Sequence, residues 1–131
     1  MKESKYKSVL LVDDSYIDTL INRKIMENSG FAEQITVLHS PGEAICFLEK
    51  YLSEKQGIPD AIFLDIRMPE MSGFDFLQKL YLLDGFRESK IKIYILSSSL
   101  DPRDLRRTEE SALVKKFISK PLTNKVLQEI G

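Results

Sequence analysis

Four short apolar runs, each closing on a polar residue, restrict this chain more than any other feature. Val9-Leu10-Leu11-Val12 runs into Asp13-Asp14, Ala61-Ile62-Phe63-Leu64 into Asp65, Ile93-Tyr94-Ile95-Leu96 into Ser97, and Phe117-Ile118-Ser119 into Lys120-Pro121. Unbroken apolar runs of this length, bounded by polar residues, are the pattern of strands buried on both faces, as in a parallel sheet covered by helices. Ligands of such sheets sit beyond the carboxyl ends of the strands. Residues far apart in the chain are therefore expected in one crevice, where three carboxylates, a hydroxyl and an ammonium suit a divalent cation and a phosphoryl group.

Helix-like segments alternate with these runs, which predicts an α/β sheet built from right-handed crossovers. Ile17, Leu20, Ile21 and Ile25 recur at helical spacing and Gly30 supplies a stop, giving a first helix from about Tyr16 to Ser29. Ile35 to Leu38 reads as the second strand. Ser40-Pro41-Gly42-Glu43 joins an N-cap serine, a proline at the first helical position and a capping-box glutamate, and turns Ala44, Ile45, Leu48, Tyr51 and Leu52 to the core. Ser72 caps a third helix carrying Phe74, Leu77, Leu80 and Tyr81, and residues 84–90 form a polar connection to the fourth strand. A fourth helix starts at Asp101-Pro102 and fades by about Glu110, and Thr123 to Ile130 forms the last, with Leu122, Val126, Leu127 and Ile130 as its apolar stripe.

The 131 residues suit one domain with its core at about 7–130. A net charge of −1 gives no electrostatic case for nucleic acid, and no apolar stretch is long enough to span a bilayer, so a cytoplasmic location is expected. Cys46 is the sole cysteine, which excludes an internal disulfide, and it is expected as a small buried apolar residue.

Adjacent acids after a strand resist ionising together unless something positive neutralises them. Magnesium, held by one or two carboxylates plus phosphate oxygens, is the natural remedy. Asp13, Asp14 and Asp65 can supply such ligands, with the backbone carbonyl of Arg67 as a fourth. Taken alone, Asp13-Asp14 reads equally well as a solvated loop before a helix cap; the other strand ends favour the metal.

Asp13-Asp14, Asp65 within Leu64-Asp65-Ile66-Arg67-Met68-Pro69 followed by Gly73, Ser97, and Phe117-Ile118-Ser119-Lys120-Pro121 together resemble the receiver domain of two-component response regulators, over nearly the whole chain. The resemblance implies a flavodoxin-like, doubly wound sheet of five parallel strands in the order 2-1-3-4-5. It implies phosphorylation at Asp65 by a sensor histidine kinase or histidine phosphotransfer protein. It further implies magnesium, or manganese in its place, on Asp13, Asp14, Asp65 and the Arg67 carbonyl, with Lys120 and Ser97 on the phosphoryl group. Ser97 and Phe117 would be switch residues reporting to a downstream protein through the fourth helix, fifth strand and last helix. Arg67 and Ser99 would modulate the lifetime of the phosphoryl group, and the Lys120-Pro121 peptide would be cis.

The expected activity is that of a single-domain regulator that catalyses only its own phosphorylation and dephosphorylation. Two alternatives stand beside it. A haloacid-dehalogenase-like phosphatase also uses an aspartyl phosphate, magnesium and a strand-end lysine, but wants its two acids one residue apart, whereas here they are adjacent. A receiver-like scaffold would bind partners without being phosphorylated.

Overall fold

A computed structural model describes residues 6–66, 71–97, 103, 106, 114–120 and 122–130. Strands β1 (Tyr6–Val12), β2 (Ala32–Leu38), β3 (Ala61–Asp65), β4 (Lys92–Ser97) and β5 (Val114–Ser119) form one parallel sheet in the order β2-β1-β3-β4-β5. Helices α1 (Tyr16–Ser29), α2 (Pro41–Glu54), α3 (Gly73–Tyr81), α4 (Phe86–Ser89) and α5 (Asn124–Glu129) complete it. This is the doubly wound architecture that the alternating pattern predicts.

Because successive strand side chains point to opposite faces, each apolar run feeds two cores. Leu10, Val12, Ile62, Leu64, Ile93 and Ile95 pack with Ala44, Leu48 and Leu52 of α2 and Phe76, Leu77 and Leu80 of α3. Val9, Leu11, Phe63, Tyr94 and Leu96 pack on the opposite face with Met26 of α1 and Leu127 of α5. Burial on both faces explains why these runs lack the polar alternation of a surface strand.

Short side chains set the helix starts. Ser15, Ser40, Ser72 and Thr123 each accept a hydrogen bond from the backbone N–H three residues on, satisfying a donor the helix itself cannot. The Glu43 N–H to Ser40 Oγ bond at 3.1 Å is the half of the capping box that the sequence anticipates, and Ser40 Oγ also donates to Glu43 Oε1 at 3.1 Å. Gly30 ends α1 with φ 67°, a left-handed conformation that glycine adopts without a steric penalty.

Several expectations need correction. Cys46 is exposed: the core stripe of α2 runs through Ala44, Leu48 and Leu52, and a residue two positions past Ala44 is rotated about 200° from it. The span of α1 is as expected; of its apolar repeat Ile17 71%, Leu20 57% and Ile21 45% are exposed and Ile25 packs on the core, while Thr19, Asn22 and Met26 are buried. The connection at 84–90 contains the turn α4, which buries Phe86. Tyr81 is exposed, and Phe76, outside the expected stripe, is fully buried. The helix expected from Asp101 to about Glu110 falls outside the described residues except for Arg103 and Arg106, both helical and exposed. Arg67, Ser99 and the Lys120-Pro121 peptide also lie outside them.

Candidate phosphoryl and metal site

The sheet delivers the run-end residues to one place by extending its hydrogen bonding just past the strands. The N–H of Asp13 donates to the Leu38 carbonyl at 3.2 Å, that of Ile66 to Leu96 at 3.3 Å, and that of Lys120 to Ser97 at 2.8 Å. Asp13, Asp65 and Lys120 therefore project from backbone fixed to a neighbouring strand. Asp13 and Asp65 are buried and Asp14 is exposed. Carboxylate oxygens of the three acids all lie within 4.8 Å of one another.

Lys120 ties these acids together. Its Nζ donates to Asp13 Oδ2 at 2.7 Å and to Asp18 Oδ2 at 2.8 Å, and stands 3.7 Å from Asp65 Oδ1. The other oxygen of Asp13, Oδ1, accepts from the Ser15 N–H at 3.0 Å. Burial pulls the Lys120 ammonium toward a lower pKa, but the hydrogen bonds it donates to Asp13 and Asp18 and the charges of Asp65 and Asp13 outweigh it, so the net shift is upward. The lysine stays charged through the physiological range.

Ser97 is buried at the end of β4, paired with Ser119 in the β4–β5 ladder. Phe117 lies opposite Ile95 and is half-buried against the core beneath α2 and α3. Gly73 closes the site from behind: its N–H donates to the Ile66 carbonyl at 2.7 Å, and a Cβ there would meet Ile66 Cα at 2.9 Å. Only a residue without a side chain lets α3 begin this close to the strand bearing Asp65.

The response regulator receiver domain model matches residues 9–130. The chain belongs to the response regulator receiver domain family. A two-component response regulator from rice, Oryza sativa, is 30% identical over 93% of this chain, which spans about half (52%) of that relative. A two-component response regulator structure from Cytophaga hutchinsonii is 33% identical, covers 98% of this chain and 94% of that one, and superposes with a TM-score of 0.87. The receiver domain of a Pseudomonas aeruginosa sensor histidine kinase, solved with magnesium coordinated in its active-site cleft, shares the fold at 20% identity and a TM-score of 0.75, covering 94% of this chain and 92% of that one. The family match sets the phosphatase alternative aside.

Receiver domains bind magnesium or manganese in their acidic site, and the donors here fit. The cluster offers oxygen atoms alone, which suits a hard cation. Opposite ligands of magnesium lie about 4.2 Å apart, twice a bond of about 2.1 Å, so carboxylates within 4.8 Å need to close by only about half an ångström.

Asp18 is the residue of this receiver's site that sequence reasoning missed. Ser15-Tyr16-Ile17-Asp18 carries the serine-to-acid spacing of a capping box, so Asp18 is absorbed into the helix start. Its N–H does meet Ser15 Oγ, at 3.2 Å, but its carboxylate turns to Lys120. An acid five residues after Asp13, within the first turn of a helix, was the available signal.

Proposed function

We propose that this receiver is a phosphorylation-controlled response regulator in which Asp65 accepts a phosphoryl group from a histidine of a kinase or phosphotransfer protein. The observation that carries the reading is the placement of Lys120, bonded to Asp13 and 3.7 Å from Asp65, at the shared mouth of β1, β3 and β5. An Asp65 oxygen attacks phosphorus as the P–N bond breaks, and the bonding pair returns to the donor imidazole. Lys120 places positive charge and an N–H against the phosphoryl oxygens, where positioning and charge do most of the work in this class of reaction. Ser97 offers its hydroxyl to the same group. Magnesium held by Asp13, Asp14 and Asp65, with the Arg67 carbonyl as further ligand, would supply the remaining positive charge. Burial of Asp65 keeps bulk water from competing for the phosphoryl group.

The donor protein docks on α1 in this reading. Tyr16, Ile17, Leu20 and Ile21 form an exposed apolar strip on a helix that begins just beyond Asp14, and a protein bringing histidine to Asp65 must pass beside it. Large apolar side chains clustered on a charged surface are a usual mark of a protein contact. Downstream, hydroxyl movement at Ser97 and inward rotation of Phe117 would bias the face around β5 and α5, and in this reading the receiver acts only on its own phosphoryl group. Among the described residues, no helix is long and apolar enough to cross a membrane.

Incubation with magnesium and acetyl phosphate, read by intact mass, tests the acceptor. Wild type should gain one phosphoryl group and folded Asp65→Asn none. Equal gain by Asp65→Asn refutes the assignment, and no gain by wild type favours the unphosphorylated scaffold.

A further inference from the structure

An ammonium carries three N–H donors. On Lys120 one reaches Asp13 at 2.7 Å and one reaches Asp18 at 2.8 Å, while Asp65 at 3.7 Å lies beyond hydrogen-bond distance. We propose that Asp18 is a positioning residue for phosphoryl transfer: together with Asp13 it holds the Lys120 ammonium short of Asp65, leaving an N–H for the incoming phosphoryl oxygen. This rests on Asp65 being the acceptor.

The geometry favours a built arrangement over a passing surface contact. The first turn of α1 is pinned at several points, so Asp18 is preset. Asp13 Oδ1 accepts from the Ser15 N–H, and Ser15 Oγ accepts from the Asp18 N–H. Thr19 Oγ1 donates to the Tyr16 carbonyl at 3.0 Å, and this leaves His39 Nε2 to donate to Thr19 Oγ1 at 3.2 Å. The His39 ring in turn stacks on Tyr16 with centroids 3.8 Å apart. The end of β2 thereby clamps the helix start. Because helix capping at this position uses only the backbone of Asp18, its carboxylate is available to the lysine. Its side chain is 40% exposed, against 10% for Lys120 and 4% for Asp13, so it contributes charge at a small desolvation cost.

The consequence for chemistry lies in what Lys120 would do without Asp18. A shift of about 1 Å would bring its Nζ into hydrogen bonding with Asp65 Oδ1, now at 3.7 Å. A charge-assisted bond stabilises the carboxylate that has to attack, and withdraws the ammonium from the phosphoryl oxygen. Asp18 keeps these two partners apart until the phosphoryl group lies between them.

The test measures the rate of phosphorylation by acetyl phosphate at saturating magnesium, by intact mass. Asp18→Ala should react about 10-fold more slowly than wild type, and Asp18→Glu, which restores the carboxylate, should recover to within about 3-fold. If Asp18→Ala proves unfolded by circular dichroism, the isosteric Asp18→Asn is read instead, with a smaller loss in the same direction. In a Lys120→Gln background the Asp18 substitution should cost nothing further, because its effect passes through the lysine. Wild-type rates in Asp18→Ala or Asp18→Asn, or an undiminished loss in the Lys120→Gln background, overturn the proposal. If wild type takes up no phosphate, the acceptor reading and this one fall together. If wild type is phosphorylated at Asp65 and Asp18 is indifferent, only this one falls.

Discussion

Alanine at position 73 would test how closely the fold and the site are joined. Its Cβ would stand 2.9 Å from Ile66 Cα and 3.1 Å from the Asp65 carbonyl oxygen. Carbon atoms in contact prefer about 3.5–4.0 Å, so the start of α3 and the end of β3 must separate by about 0.6–1 Å. Both neighbours are backbone, and no side-chain rotation relieves the clash. Overpacking of this kind costs about 1–3 kcal/mol. Stretching the 2.7 Å bond from the Gly73 N–H to the Ile66 carbonyl adds a further part of the roughly 0.5–1.5 kcal/mol that such a bond is worth. Alanine regains at most about 1 kcal/mol of helix propensity, and less at the first helical position. The net is a destabilisation of about 1–2 kcal/mol, read as a fall of about 5 °C in the midpoint of thermal unfolding. A displacement approaching 1 Å at Asp65 should also slow phosphorylation by acetyl phosphate, by up to about 100-fold. Thermal circular dichroism and intact-mass kinetics on Gly73→Ala measure the two effects. An unchanged midpoint with an unchanged rate would refute the claim that this close approach holds Asp65 in place.

The raised Lys120 pKa fixes the sign of a pH effect. Its pairing contributes stability that is fully present below the unfolded lysine value of about 10.4 and is lost as pH rises through the higher folded value. In metal-free buffer the gap in urea midpoint between wild type and Lys120→Gln should therefore hold steady up to about pH 10 and narrow as pH is raised beyond the unfolded lysine value; a constant or widening gap there contradicts the upward shift. Leu20→Glu should slow transfer about 10-fold from whichever autophosphorylated histidine kinase phosphorylates the wild type, while leaving phosphorylation by acetyl phosphate unchanged. Equal transfer rates would remove α1 as the donor-docking face.

The strands were legible because burial on both faces leaves a continuous apolar trace, and β3 begins where its run does and extends one residue past it to Asp65. β2 begins at Ala32, ahead of its apolar stretch, because an edge strand carries exposed Glu33 and Gln34 that no hydrophobic pattern reveals. Helix α1 was legible in its extent, Tyr16 to Ser29, but not in its orientation. Periodicity identifies a helix but not which face is inward, and here Thr19 and Asn22 lie against the sheet while the larger apolar side chains meet solvent. The run-end acids and Lys120 could be grouped from the sequence because a parallel sheet gathers strand ends. Asp18 could not, since its role depends on the direction of one carboxylate at a helix start.

Lys120 lies 107 residues after Asp13 and 102 after Asp18 along the chain. At a synthesis rate of about 5–20 residues per second, the acids leave the ribosome roughly 5–20 s before the ammonium that neutralises them. β5, which positions that lysine, follows the other four strands of the sheet along the chain and, among the described residues, sits at the sheet edge beside β4. A nascent or prematurely terminated chain therefore displays Asp65 without its counter-charge, and should draw phosphate from the donor pool more slowly than the folded protein. The long sequence separation thus ties full competence to receive a signal to the docking of β5 on β4.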